Sequence, residues 1–190
     1  MNAAFAAHDE ARQPSGQNGD AQARSLELEI ANTKEWQRAV KRLANTRLPE
    51  GAWYRSVLCL QYLRPGVQLA DISGGNSSEI LLNPPKSTCL VIFEARRYSR
   101  LNLVIAREAK KAKIPITLVT DSFCDWGRDH SDAMFVVPTD FGMCWDSTAQ
   151  MASLGNLLIN SVFHELGDAV EGRLDKVSEL HGRITRSVGD

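Results

Sequence analysis

Lys86-Ser-Thr-Cys-Leu-Val-Ile-Phe-Glu-Ala-Arg-Arg-Tyr-Ser-Arg100 opens the stretch that decides the fold, and Ile114-Pro-Ile-Thr-Leu-Val-Thr-Asp121 closes it. Thr88 to Phe93 is a continuous apolar, β-branched run, as is Ile114 to Thr120, and each reads as a strand buried on both faces. Between them Leu101, Val104, Ile105, Ala109 and Ala112 recur at helical spacing and give one apolar face from Arg100 to Lys113. Two buried strands joined by an amphipathic helix make a βαβ unit with parallel strands. Ligands of such units sit beyond the carboxyl ends of the strands. Those ends carry Glu94-Ala-Arg-Arg-Tyr-Ser-Arg100 and Asp121-Ser122.

The flanking chain supplies more elements of the same kind. Ala133 to Val137 is another buried strand, and Val67 to Asp71 is a short alternating one. Asp146-Ser147 suits the N-cap of a long helix ending at Gly167. Helical stripes run from Ser25 to Ala44, from Trp53 to Leu63 and from Ala169 to Ile184. The last stripe calls for a partner, either the helix carrying Ile30 and Leu43 or a second subunit. Residues 1–24 lack any hydrophobic period and read as a disordered tail. One domain over residues 25–185 and a tail at 186–190 complete the chain.

Of 190 residues, 22 are Lys or Arg and 23 are Asp or Glu, a net charge of −1 that gives no reason to expect direct DNA binding. Cys59, Cys89, Cys124 and Cys144 are too widely spaced for a structural metal site. No motif asks for a cofactor, since Gly74-Gly75 lacks the rest of a dinucleotide loop. With no signal peptide and no run able to span a bilayer, the sequence reads as a reduced, cytoplasmic protein with no membrane partner.

The loop Arg96-Arg-Tyr-Ser-Arg100 joins a strand end to a helix N-terminus, where free N–H groups and the dipole suit a phosphate. Ser99 adds a hydroxyl, and Arg96 or Arg97 a fork; a plain surface turn is the alternative. Asp121 is a ligand contact or a turn-former, and Asp146 is a cap. Glu94 and His130 are the candidates on this edge for a general base. His164 and His181 read as surface residues.

Five stretches together resemble the sugar isomerase (SIS) domain, in the form found in RpiR-type (MurR/RpiR) transcriptional regulators. They are Leu63 to Val67, Leu90 to Arg100, Ile116 to Ser122, Ser131 to Ala133 with Val136 to Pro138, and Trp145 to Ser147. The resemblance implies a flavodoxin-like α/β three-layer sandwich with a short, mostly parallel sheet. It also implies a dimer binding a sugar phosphate or amino-sugar phosphate. Carried over, Arg96, Arg97, Tyr98, Ser99, Asp121, Ser122, Asp146 and Ser147 are the ligand-binding residues. Three departures stand out. Too few residues precede the matching helix for a helix-turn-helix domain. Leu48 to Ser56 offers no β-branched run, so the first strand of the core is expected to be missing. Cys124-Asp125 replaces the Ser-Pro common after Thr-Asp-Ser.

The expectation is a non-catalytic sugar-phosphate sensor, related to RpiR-type factors but without a DNA-binding half. The alternatives are an aldose–ketose isomerase with Glu94 as its base, and a dimerisation module or degenerate paralogue.

Overall fold

The computed structural model describes residues 16–46, 48–51, 60–70, 77–96, 98–142 and 144–186. Five strands form one sheet in the order β2-β1-β3-β4-β5, and every neighbouring pair is parallel. They are β1 (Leu48–Gly51), β2 (Gln68–Leu69), β3 (Thr88–Glu94), β4 (Ile116–Thr120) and β5 (Ala133–Val136). Five helices longer than a turn accompany them among the described residues: α1 (Gly16–Ala31), α2 (Lys34–Asn45), α3 (Arg100–Lys111), α4 (Ala149–Leu166) and α5 (Glu171–Arg186). The strand order 2-1-3-4-5 is that of flavodoxin-like sheets, so the α/β sandwich expected from the sequence is the one formed.

Period-two alternation along β3 divides its side chains between two cores. Cys89 and Val91 join Trp36, Val40 and Leu43 of α2 and Leu154, Leu158 and Val162 of α4. Leu90 and Ile92 pack on the opposite side, with Ile105, Ala106 and Ala109 of α3. Helices therefore cover both faces, and this is why β3 and β4 read as unbroken apolar runs.

The missing strand is a correction. Leu48–Gly51 is β1, paired from Leu48↔Thr88 to Gly51↔Val91 with β3 and at Glu50 and Gly51 with β2. A short strand flanked on both sides is held by backbone ladders, so β-branched side chains are not required of it. Pro49 sits opposite Cys89 of β3, and the pairing with β2 begins only at Glu50, so it occupies the one-sided start of the strand. Trp53 to Ser56, where the helix to Leu63 was expected to start, lie outside the described residues, as do Gly74 and Gly75.

The N-terminal part also differs from expectation. Helix α1 begins at Gly16, upstream of Ser25. Ala, Gln and Arg there favour helix, and a missing apolar period argues only against burial. The single helix expected to Ala44 is broken at Thr33, whose hydroxyl accepts from the Trp36 N–H at 3.1 Å and caps α2. Buried Arg64, from the Leu63–Val67 stretch, donates to the Leu43 and Thr46 carbonyls and closes the other end of α2. Burial lowers the pKa of its guanidinium. Among the described residues no helix is long and apolar enough to cross a membrane.

Candidate functional site

The carboxyl edge of the sheet gathers the loops after β3, β4 and β5, and two buried carboxylates organise them. Glu94, the last residue of β3, turns back over its own loop. It accepts from the Ser99 N–H at 3.1 Å and from the Asn102 side-chain amide on α3. Asp121, just past β4, accepts from the Arg96 N–H at 2.9 Å, the Phe123 N–H at 3.0 Å and the Tyr98 hydroxyl. One carboxylate thus ties the β3 loop to the β4 loop, and the other ties it to α3.

This arrangement alters the anion site expected from the sequence. Ser99 does cap α3, its hydroxyl accepting from the Leu101 N–H at 3.2 Å. Its own N–H, one of the orphan donors a phosphate would use, is occupied by Glu94. The chain supplies its own anion at that helix end. Burial raises the pKa of the Tyr98 phenol, and the Asp121 carboxylate raises it further by holding the proton between them.

Among the described residues, Arg96 places a cation over the edge. Its guanidinium lies 3.1 Å from Asp146, 3.9 Å from Asp140 and 4.3 Å from the centre of the Phe123 ring. These contacts fix a long side chain across the gap between the β3 and β5 loops. Below it opens a cleft of about 470 Å³, with Ala95, Arg96 and Tyr98 on one side. Thr139, Trp145, Asp146 and Thr148 form the other side. Thr139 is only 2% exposed, and its hydroxyl has no hydrogen-bond partner among the described residues.

Of the residues singled out in the sequence, Arg96, Tyr98 and Asp146 line this cleft, and Asp121 braces it from behind. Arg97 lies outside the described residues, and Ser122 is exposed on the turn after β4. Asp146 is not the cap of α4, because its carboxylate is turned to Arg96 instead. Ser147 serves the helix start, accepting from the Ala149 N–H at 3.2 Å, while its own N–H donates to the Thr139 carbonyl. His130 is displaced altogether. It precedes β5 closely, so with parallel strands it sits at the amino edge, where Arg107 Nε donates to its Nε2 at 3.4 Å.

Asn102, Thr139 and Trp145 were not among the candidates. Asn102 did leave a signal, since it occupies the buried row of α3 with Ile105, Ala106 and Ala109, and a polar group there needs a partner. Chemically, both oxygens of Glu94 and both of Asp121 already accept hydrogen bonds.

No family model matches the chain, and no curated protein matches it. Solved structures do. The sugar isomerase domain of the RpiR transcription factor from Sphaerobacter thermophilus superposes with a TM-score of 0.73 at 16% identity, over 88% of this chain and 99% of that one. The Vibrio vulnificus NanR protein complexed with ManNAc-6P gives 0.67 at 14% identity, over 95% of this chain and 74% of that one. The E. coli CFT073 protein c3406 gives 0.57 at 12% identity, over 90% and 98%. With the strand order, the two-sided core and the edge cleft already described, these likenesses establish that the chain has the fold of the sugar isomerase (SIS) domain.

Proposed function

We propose that the chain binds a phosphorylated sugar or amino sugar in the cleft at the carboxyl edge of its sheet, as a sensor and without turning it over. The observation that carries this reading is Arg96, held over the cleft by Asp146 and Phe123. A guanidinium that leaves a half-exposed carboxylate for a phosphate exchanges one charge-assisted pair for a bidentate one. The fold supports the reading, as does the ManNAc-6P held by NanR. Glu94 is committed to Ser99 and Asn102, which favours binding over isomerisation.

A thermal-shift series with hexose, amino-sugar, N-acetylamino-sugar and pentose phosphates tests it, with the free sugars and inorganic phosphate as controls. A ligand present at one hundred times its Kd raises the midpoint by roughly 5–10 °C. Arg96→Gln removes most of that shift. Equal shifts with the unphosphorylated sugars, or no shift with any phosphate ester, would defeat the proposal.

The protein is further proposed to dimerise through α5. Val170 at its start is buried, but exposure rises to 50% at Leu180 and 63% at Ile184, on the stripe that the sequence left in need of a partner. A second copy supplies one.

A further inference from the structure

Among the described residues that line the cleft, Arg96 carries the positive charge and Asp146 the negative one. They face each other at 3.1 Å, and Asp140 sets a second carboxylate 3.9 Å from the same guanidinium. Behind them, Glu94 and Asp121 are held by neutral donors. These are the Ser99 N–H and the Asn102 amide for one, and the Arg96 and Phe123 N–H groups with the Tyr98 hydroxyl for the other. The balance of charge around the cleft thus rests on Arg96 among the described residues.

Moving Arg96 onto a phosphate would strand Asp146. The ester brings a charge of roughly −1.5 to −2 near neutral pH, close to a carboxylate that has just lost its partner. Two anions so near each other in a cleft partly shut from water repel strongly. No second cation lines the cleft among the described residues, and a ligand that carries one supplies it. The exchange is then balanced, with phosphate replacing carboxylate at Arg96 and the ligand's cation replacing guanidinium at Asp146. Asp146 suits the second role better than Asp140, because its side chain is 34% exposed against 66% and water weakens its pairing less. Thr139, on the same wall, has a buried hydroxyl with no hydrogen-bond partner among the described residues, a costly state that marks this wall as one completed by a bound group.

Resting on the phosphosugar reading, we infer that the ligand is a phosphorylated amino sugar with a free, protonated amine. Asp146 is then the specificity-determining residue that pairs with the ammonium while Arg96 takes the phosphate. An acetylated amine has lost its charge and a hydroxyl never had one, so neither restores the balance. The cleft of about 470 Å³ has room for the sugar ring that holds the two charges apart.

Glucosamine 6-phosphate, N-acetylglucosamine 6-phosphate and glucose 6-phosphate differ at one carbon, as do the three corresponding mannose esters. Calorimetric titration of the full chain at about pH 6.5, where the amine is protonated, compares them within each set. In at least one set the free-amine ester is expected to bind about tenfold more tightly than both counterparts. Asp146→Asn removes that preference and, by freeing Arg96 from its carboxylate, raises the affinity for inorganic phosphate. The opposite signs set the result apart from a general loss of structure, and Asp140→Asn keeps the preference. Equal affinities within both sets, or a preference that survives Asp146→Asn, overturn the amine assignment alone. Esters that bind no more tightly than inorganic phosphate overturn the phosphosugar reading and this inference with it.

Discussion

At Asp121 three donors meet one buried carboxylate, and the position of the whole β3 loop depends on them. Removing the acceptor leaves the Arg96 and Phe123 N–H groups and the Tyr98 hydroxyl without a partner. Asp121→Ala is therefore expected to destabilise by about 3 kcal/mol in urea unfolding and to abolish ligand binding. Asp121→Asn recovers little, because its amide turns a donor toward at least one of the donors already there. Tyr98 makes the pH dependence specific. Its folded pKa lies above the unfolded one, so its contribution is complete below the unfolded value, near 10, and is lost as pH rises through the folded value. The stability gap between wild type and Tyr98→Phe should hold at neutral pH and shrink only in strong alkali. In a spectroscopic titration the phenolate step missing from Tyr98→Phe should be the late one; a step at the ordinary tyrosine position in the folded protein would contradict the Asp121 contact. Much of this edge was legible, because strand ends and the following polar residues fix where Arg96, Asp121 and Asp146 lie. What each carboxylate faces was not, since that depends on where a neighbouring loop folds.

The elements carry their own tests. Helix α3 ends at Lys111, and Lys113 takes a φ of 60°, the left-handed conformation that usually falls to glycine. Lys113→Gly should stabilise by about 1 kcal/mol, read as a rise in the urea midpoint; an unchanged midpoint would contradict the strain. Gly127 is the opposite case. A Cβ there would meet Leu118 Cδ2 at 2.6 Å and Met134 Cε at 2.9 Å, so Gly127→Ala should cost about 1–3 kcal/mol. A neutral outcome would mean that the two core side chains shift freely. At the edge strand β5, Glu35 of α2 accepts from the Met134 N–H at 2.8 Å, occupying a donor that would otherwise invite another strand. Strands β3 and β4 could be read from the sequence because burial on both faces writes an apolar run. Strand β1 could not, because its support comes from backbone pairing on both flanks and leaves no mark on residue type. Thr33 carried a fair cap signal, yet the apolar stripe running through it pointed to one continuous helix.

Over the whole molecule, the switch in connection between β1 and β3 directs a ligand to the carboxyl edge. The described cleft lies toward β5 on that edge, under Arg96. On the covered face a second cavity of about 460 Å³ runs between α2 and α4, beside Trp36, Lys41 and His164. If α5 joins two copies, light scattering reads a dimer, and Leu180→Glu with Ile184→Glu yields a folded monomer; a dimer unaffected by that pair places the interface elsewhere. Location of the ligand is the central claim, and backbone amide NMR tests it most directly. Titration with a hexose or amino-sugar phosphate that stabilises the protein should shift Ala95, Arg96, Tyr98 and Ser99 together with Thr139, Trp145 and Thr148, leaving Gln37, Lys41 and His164 unmoved. Shifts confined to Gln37, Lys41 and His164, with the edge loops unchanged, would contradict it.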